Sequence, residues 1–182
     1  MRMRWICGVL MFAFLAGCLN SCGYTTKSLL REDLKTICVE NFANKIPVTD
    51  EMSDARMYIG YRPRLEHDVT KAVSDRFLFD GNLRITERKN ADLILTGELV
   101  DFRREPLRYD ANDNVEEYRV RLVTNLELTD TKTNTLMWRE KEFAGESTYR
   151  TGGSLATSET SAINDARSDL ARRIVERTIE GW

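Results

Sequence analysis

Between Tyr118 and Leu128 the chain alternates. Tyr118, Val120, Leu122, Leu126 and Leu128 are apolar, and Arg119, Arg121, Asn125 and Glu127 between them are polar, with only Val123 and Thr124 interrupting the pattern. A side-chain period of two belongs to an extended strand, and no helix face repeats that way. A strand that is apolar on one side and charged on the other needs a cover on the first face and water or a polar partner on the second. The chain therefore builds a sheet with one buried face, and other segments must supply the cover.

Two segments have the required spacing. In Arg64 to Phe79, Leu65, Val69, Ala72, Val73 and Phe77 fall on one side of a helix, and Glu66, Asp68, Lys71 and Asp75 lie mostly opposite. Near the end, Ser158 is placed to cap a long helix whose stripe is Ile163, Ala166, Leu170 and Ile174, with Arg167, Asp169, Arg172, Arg173 and Glu176 off it. The remaining strands are read at Lys35 to Phe42, at Leu83 to Ile85 after the Asp80-Gly81-Asn82 stop signal, at Ala91 to Phe102 and at Leu136 to Tyr149. Gly97, inside the third of these, marks a bulge or a close backbone approach. Asn44 to Pro63 is long for a loop in a compact domain, so part of it is expected to be ordered by packing or by function.

The predicted order is β-α-β-β-β-β-α, an α+β two-layer sandwich. Its mixed sheet has four to five strands, with both helices on the apolar face. The first strand, helix and second strand form a right-handed crossover, and the last three strands a meander. Residues 35–182 are read as this single domain.

The N-terminus carries a different signal. Arg2 and Arg4 precede an uncharged, mainly apolar run from Trp5 to Ala16, which ends in Leu15-Ala16-Gly17-Cys18. A dozen residues are too few to cross a hydrocarbon core as a helix, which takes about 20. The run reads as a cleaved export signal, residues 1–17. Leu-Ala-Gly-Cys resembles the bacterial lipobox, in which small residues admit the peptidase and the Cys thiol takes a diacylglyceryl group. Cys18 is the expected lipid attachment site; Cys22, after Asn20 and Ser21, is a poorer rival. Two or three acyl chains at Cys18 would be a stable anchor. Residues 18–34 would then be a lipidated tether, and Leu19 after the acylated Cys points to the outer membrane by resemblance to enterobacterial sorting. The mature chain keeps 165 residues and a net charge of −4. Cys22 and Cys38 could pair in an oxidising compartment, but nothing in the sequence brings them together, so two free thiols are expected.

Little in the sequence supports catalysis. The near-neutral charge balance, 27 basic against 29 acidic residues, does not point to nucleic acid. There is no G-x-S-x-G, no phosphate-binding glycine loop and no H-E-x-x-H; the one histidine, His67, falls on the polar side of its helix, so neither a metal nor a cofactor is expected. Glu116 and Glu117 are adjacent in a strand and face opposite ways. One group of residues remains. If the third and fourth strands pair as a hairpin with its tip at Arg103 to Glu117, then Arg103, Arg104 and Arg108 lie at that tip, and the returning fifth strand brings Arg150 to the same end. Four guanidinium forks at one pole suit phosphate or carboxylate recognition. Each taken singly also reads as a surface arginine paired with Glu105, Asp110 or Asp113.

The arrangement resembles the LptE family of lipopolysaccharide-assembly lipoproteins. The resemblance rests on Leu15-Ala16-Gly17-Cys18, Cys22-Gly23-Tyr24, Ile37-x-Val39-x-x-Phe42-x-Asn44 and Ala91-Asp92-x-x-Leu95-x-Gly97. It continues with Glu117-Tyr118, Leu128-x-Asp130, Leu136-x-Trp138, Asp169-Leu170-Ala171-Arg172-Arg173-Ile174-Val175-Glu176 and the closing Gly181-Trp182. The resemblance implies an outer-membrane lipoprotein that plugs a large β-barrel translocon protein, helps it assemble, and delivers lipopolysaccharide (LPS) to the outer leaflet. It also implies that basic residues at one end of the sheet meet lipid A, which agrees with the arginine pole. A wet sheet face bearing Arg119, Arg121, Asn125 and Glu127 suits a polar barrel lumen. The alternative from another class is a lipoprotein activator of a periplasmic cell-wall synthase. Such a protein needs a long tether, whereas about sixteen residues from Cys18 to the first strand reach at most about 56 Å.

Overall fold

The computed structural model describes residues 30–47 and 63–181. The signal, Cys18, Cys22, most of the tether and residues 48–62 lie outside the described residues. The elements run β1 (Thr36–Val39), β2 (Ala43–Asn44), α1 (Leu65–Asp80), β3 (Arg84–Ile85), a short 3-10 turn (Arg88–Asn90), β4 (Leu93–Tyr109), β5 (Val115–Asp130), β6 (Thr135–Arg150) and α2 (Glu159–Glu180). The sheet order is β3-β1-β4-β5-β6, with β2 beside β4 further along the edge that β1 occupies. β1 is parallel to β3 and β4, and β4, β5 and β6 form an antiparallel meander. This is the α+β sandwich with a mixed sheet that the hydrophobic pattern requires, with a sixth, two-residue strand added.

The inner face follows from the alternation. Leu93, Leu95, Leu99 and Phe102 of β4 and Val120, Leu122, Leu126 and Leu128 of β5 are buried under Val69, Val73 and Phe77 of α1 and Ala166, Leu170 and Ile174 of α2. Thr124, which interrupts the pattern in the sequence, does not interrupt it in space. It takes the inner position between Leu122 and Leu126, fully buried, and its hydroxyl donates to the Phe143 carbonyl at 3.0 Å. A β-branched side chain with its one polar group satisfied fills a core position much as valine would.

The first strand is broken where a single one was expected. β1 ends at Val39 and β2 begins at Ala43 because Phe42 turns inward between them, into the space left by the missing side chain of Gly97. A Cβ on Gly97 would collide with the Phe42 ring. Beyond β2, the Lys45 amide bonds the Leu99 carbonyl and Ile46 is buried, so the start of the long connection is ordered by packing against β4.

α1 stops at Gly81, whose φ of 77° suits a residue without a side chain and whose amide bonds the Phe77 carbonyl. α2 starts at Ser158, whose hydroxyl accepts the Ser161 amide at 3.0 Å. It packs hard on β6, because Gly145 lets Leu170 sit directly against the strand. Asp169 then accepts the Glu146 amide at 3.1 Å, and Arg173 donates to the Ala144 carbonyl. The Thr157 amide bonds the Arg150 carbonyl at 3.1 Å. These contacts cover the upper edge of β6, which would otherwise present open hydrogen-bonding groups.

Candidate functional site

The β4–β5 hairpin is longer than the sequence pattern alone indicates. The tip is not Arg103 to Glu117: β4 continues through Arg103, Arg104 and Arg108 to Tyr109, and the turn is confined to residues 110–114. Asp110 closes it, accepting the Asn112 and Asn114 amides at 2.8 and 2.9 Å while its own amide bonds the Asn114 carbonyl. Those amides hold the Asp110 carboxyl below its ordinary value.

Extending the strand settles where each arginine points. Alternation sends Arg103 to the open outer face and Arg104 to the inner face, so the four arginines share one end of the sheet but not one surface. Arg104 stacks over the Tyr118 ring at 4.9 Å and pairs with Glu159, in the first turn of α2, at 3.0 Å. Tyr118 in turn stacks on Tyr149, with ring centroids 5.4 Å apart. Burial works against the Arg104 charge, but Tyr149 and Glu159 more than restore it. Burial also pushes the Tyr149 hydroxyl up, assisted by the charge of Glu159. This inner group closes the arginine end of the core and is occupied with holding α2 to the sheet.

The outer face is arranged in rungs. Arg108, Glu117 and Arg150 lie side by side across β4, β5 and β6; Glu105, Arg119 and Thr148 form the next rung, and Arg103, Arg121 and Glu146 the third. The three rungs carry five arginines against three glutamates. Arg103 pairs with Asp101 at 2.5 Å, and Arg108 and Arg121 lie 3.7 Å from Glu117 and Glu146. Arg150 has no ion-pair partner among the described residues. Arg103 stands directly opposite Arg121, a like-charged cross-strand pair whose charges Asp101 and Glu146 partly offset. Arg119 and Arg121 are thus members of the arginine pole. The sequence holds the signal for them, since they alternate with inner-face Val120 and Leu122, but the hairpin register is needed to bring them beside Arg103 and Arg108.

His67 exposes about half its side chain, 55 %, on α1. No cluster of metal-ligating side chains occurs among the described residues. Cys38 is a free, half-buried thiol on β1, its pKa raised by burial against the opposing charge of Arg88.

Fold and site together define a two-layer α+β domain with helices over one sheet face and a charged, open second face that is most basic at one end. The model of the LptE family, described as lipopolysaccharide-assembly, matches residues 34–178, and the chain belongs to that family. The family is one of non-enzymatic lipoproteins, and the chain is an outer-membrane lipoprotein of the LPS-assembly type. No curated protein sequence matches it. Among solved structures, hypothetical protein CT253 from Chlamydia trachomatis shares the fold at a TM-score of 0.51 with 11% identity, over 82% of this chain and 97% of that one. Rare lipoprotein B from Shewanella oneidensis matches at a TM-score of 0.48 with 14% identity, over 79% and 93% of the two chains. The minor lipoprotein from Acinetobacter baumannii matches at 0.47 with 14% identity, over 80% and 92%.

Proposed function

We propose that the protein is the lipoprotein subunit of an LPS translocon. Cys18 carries the acyl anchor, the domain plugs and helps assemble a large outer-membrane β-barrel partner, and the outer-face arginines bind LPS on its way to the outer leaflet. Family membership supports the assignment to LPS assembly. The observation that carries the binding site is the excess of arginine on three rungs at one end of the open face. LPS presents phosphates beside acyl chains, and divalent cations bridge neighbouring molecules. Fixed guanidinium forks on a stiff sheet can replace those cations one molecule at a time, because a bidentate fork matches two phosphate oxygens.

Arg103, Arg108 and Arg150 are the direct contacts in this reading, with Arg119 and Arg121 beside them. Arg104 acts from behind the sheet, keeping the end of β4 and β5 flat against α2. The sheet is long enough to run through an outer-membrane barrel, which supports the plug reading. The seventeen residues of β4 rise about 50 Å, roughly twice the ~25 Å apolar band of an outer-membrane barrel. A polar outer face of Glu127, Arg139 and Asn125 suits a polar lumen.

The test is co-purification of the tagged, acylated protein from membranes in mild detergent. A stoichiometric large β-barrel protein is the expected partner. A cell-wall synthase in its place, or neither with the chain intact, overturns the translocon reading.

A further inference from the structure

The end of the sheet opposite the arginines holds a second group of charges. Asp92 and Asp130 belong to the Ala91-Asp92 and Leu128-x-Asp130 segments, and both turn to the stretch of chain that arrives from the N-terminus. Asp92 accepts the Lys35 amide at 2.9 Å, the Thr36 amide at 3.0 Å and the Thr36 hydroxyl at 2.9 Å. Asp130, only 1% exposed, accepts the Lys132 amide at 2.8 Å and the Arg31 guanidinium at 2.6 Å. Lys132, on the β5–β6 turn, reaches both ways, to Asp92 at 2.8 Å and to the Asp33 carbonyl at 2.7 Å. Residues 31–36 are thus held on two carboxylates and one ammonium.

That number of contacts exceeds what is needed to start a strand already paired with β3 on one side and β4 on the other. β1 is four residues long and already buries Ile37 beneath the helices. Backbone amides bonded to carboxylates are among the stronger hydrogen bonds a chain makes. Their location is what distinguishes them: they grip the chain immediately before it would leave for the anchor.

We infer that Asp92, Asp130 and Lys132 form a latch that seizes the incoming tether at Arg31, Asp33, Lys35 and Thr36, fixing the β5–β6 turn end of the sheet as the membrane-proximal end and holding the arginine pole at the far one. This rests on the proposed anchor at Cys18. Cys18 and Leu30 are twelve residue steps apart, a reach of at most about 42 Å. The latch removes the next six from the free tether, which would otherwise add about 21 Å of reach. With the latch closed, the pull of the anchor enters the domain along the β4–β5 axis, and the outer-face arginines sit about 30–50 Å beyond the attachment point. Asp92, Asp130 and Lys132 are positioning residues, acting on the site through the orientation of the whole sheet.

The test uses the full-length acylated protein in phospholipid vesicles, free of LPS and of any barrel, with Cys22 and Cys38 changed to serine. A donor dye is placed at the hairpin turn through Asn112→Cys, or at the other end through Thr135→Cys, and an acceptor dye in the bilayer. Energy transfer from Thr135→Cys should exceed that from Asn112→Cys several-fold. Arg31→Gln, Lys132→Gln and Asp92→Ala together open the latch at all three of its holds. In that variant, transfer from Asn112→Cys should rise at least twofold while circular dichroism stays native. Native-state hydrogen exchange at Lys35 and Thr36 should rise tenfold or more. Equal transfer from the two ends, or no change on opening the latch, overturns the inference. Acylation is read separately from the mass of the N-terminal peptide. An unmodified Cys18 overturns the anchor, whereas a modified one with unchanged transfer overturns the latch alone.

Discussion

An alanine at Gly145 places a Cβ against the Cβ and backbone nitrogen of Leu170 and the backbone carbonyl of Ala166. Two of those three neighbours are helix backbone, so no side chain can rotate out of the way and α2 must lift from β6. Overpacking a well-filled contact costs about 1–3 kcal/mol, and a collision with backbone belongs at the upper end. Lifting the helix also lengthens the Asp169 bond to the Glu146 amide and the Arg173 bond to the Ala144 carbonyl, each of a kind worth about 1.5–3 kcal/mol. Alanine's smaller unfolded-state entropy returns up to about 1 kcal/mol. Partial loss of both bonds leaves a net destabilisation of about 3 kcal/mol, or a fall of about 6–12 °C in Tm for a domain of this size. Calorimetry or thermal circular dichroism on Gly145→Ala measures it, with Gly152→Ala as the control. Nothing lies within 4 Å of a Cβ at Gly152, so that variant should hold or gain up to about 1 kcal/mol. A Gly145→Ala variant as stable as this control would refute the packing of α2 on the strand.

Other variants probe the rest. Gly97→Ala brings a Cβ to 2.3–2.6 Å from three atoms of the buried Phe42 ring, which must be displaced, so a loss of about 1–3 kcal/mol is expected in urea unfolding. Arg104→Ala removes the cation over Tyr118 and leaves partly buried Glu159 without that ion pair, so a loss of about 2–3 kcal/mol should accompany a changed near-UV signal from the tyrosines. Asp92 is held well below the usual carboxylate range, first by Lys132 and then, against the cost of burial, by the Lys35 amide and Thr36. A carboxyl whose pKa is lower folded than unfolded stabilises the fold above the unfolded value and ceases to do so as the pH falls through the folded one. Acid titration should therefore show stability declining below about pH 4, near the ordinary Asp value, and Asp92→Asn should flatten that part of the curve.

The sequence made much of the fold legible, and for identifiable reasons. Leu65, Val69, Val73 and Phe77 repeat at helical spacing because α1 has one buried stripe, and its ends fall within a residue of those expected. Ser158 and Gly81 terminate helices by chemistry that is local to them and can be read directly. The break between β1 and β2 was not legible, because it depends on Phe42 finding Gly97, a contact between residues far apart in the chain. The arginine pole was half legible. The meander brings Arg103, Arg104, Arg108 and Arg150 to one end, as the topology demands. Which face each occupies depends on whether the strand continues past Phe102, and mixed residues such as Arg103-Arg104-Glu105-Pro106 carry no apolar alternation to show that it does. Once pairing with β5 is known, Arg104 separates from the others, and Arg119 and Arg121 join them. Asp92 and Asp130 stood out only as members of family segments. Their task, holding residues 31–36, appears only when both ends of the domain are seen together.

The division of the arginines between the two faces is what makes the account testable at the level of single residues. Arg104 holds α2 to the sheet, and in the proposed function the outer-face arginines bind LPS, so the two kinds of change should separate cleanly in stability and in affinity. The most direct measurement is LPS binding by the purified lipoprotein carrying Arg103→Glu, Arg108→Glu and Arg150→Glu together, with thermal unfolding recorded on the same sample. The account predicts binding weakened at least tenfold with Tm within a few degrees of the unmodified protein, and LPS affinity unchanged in that folded variant would contradict it.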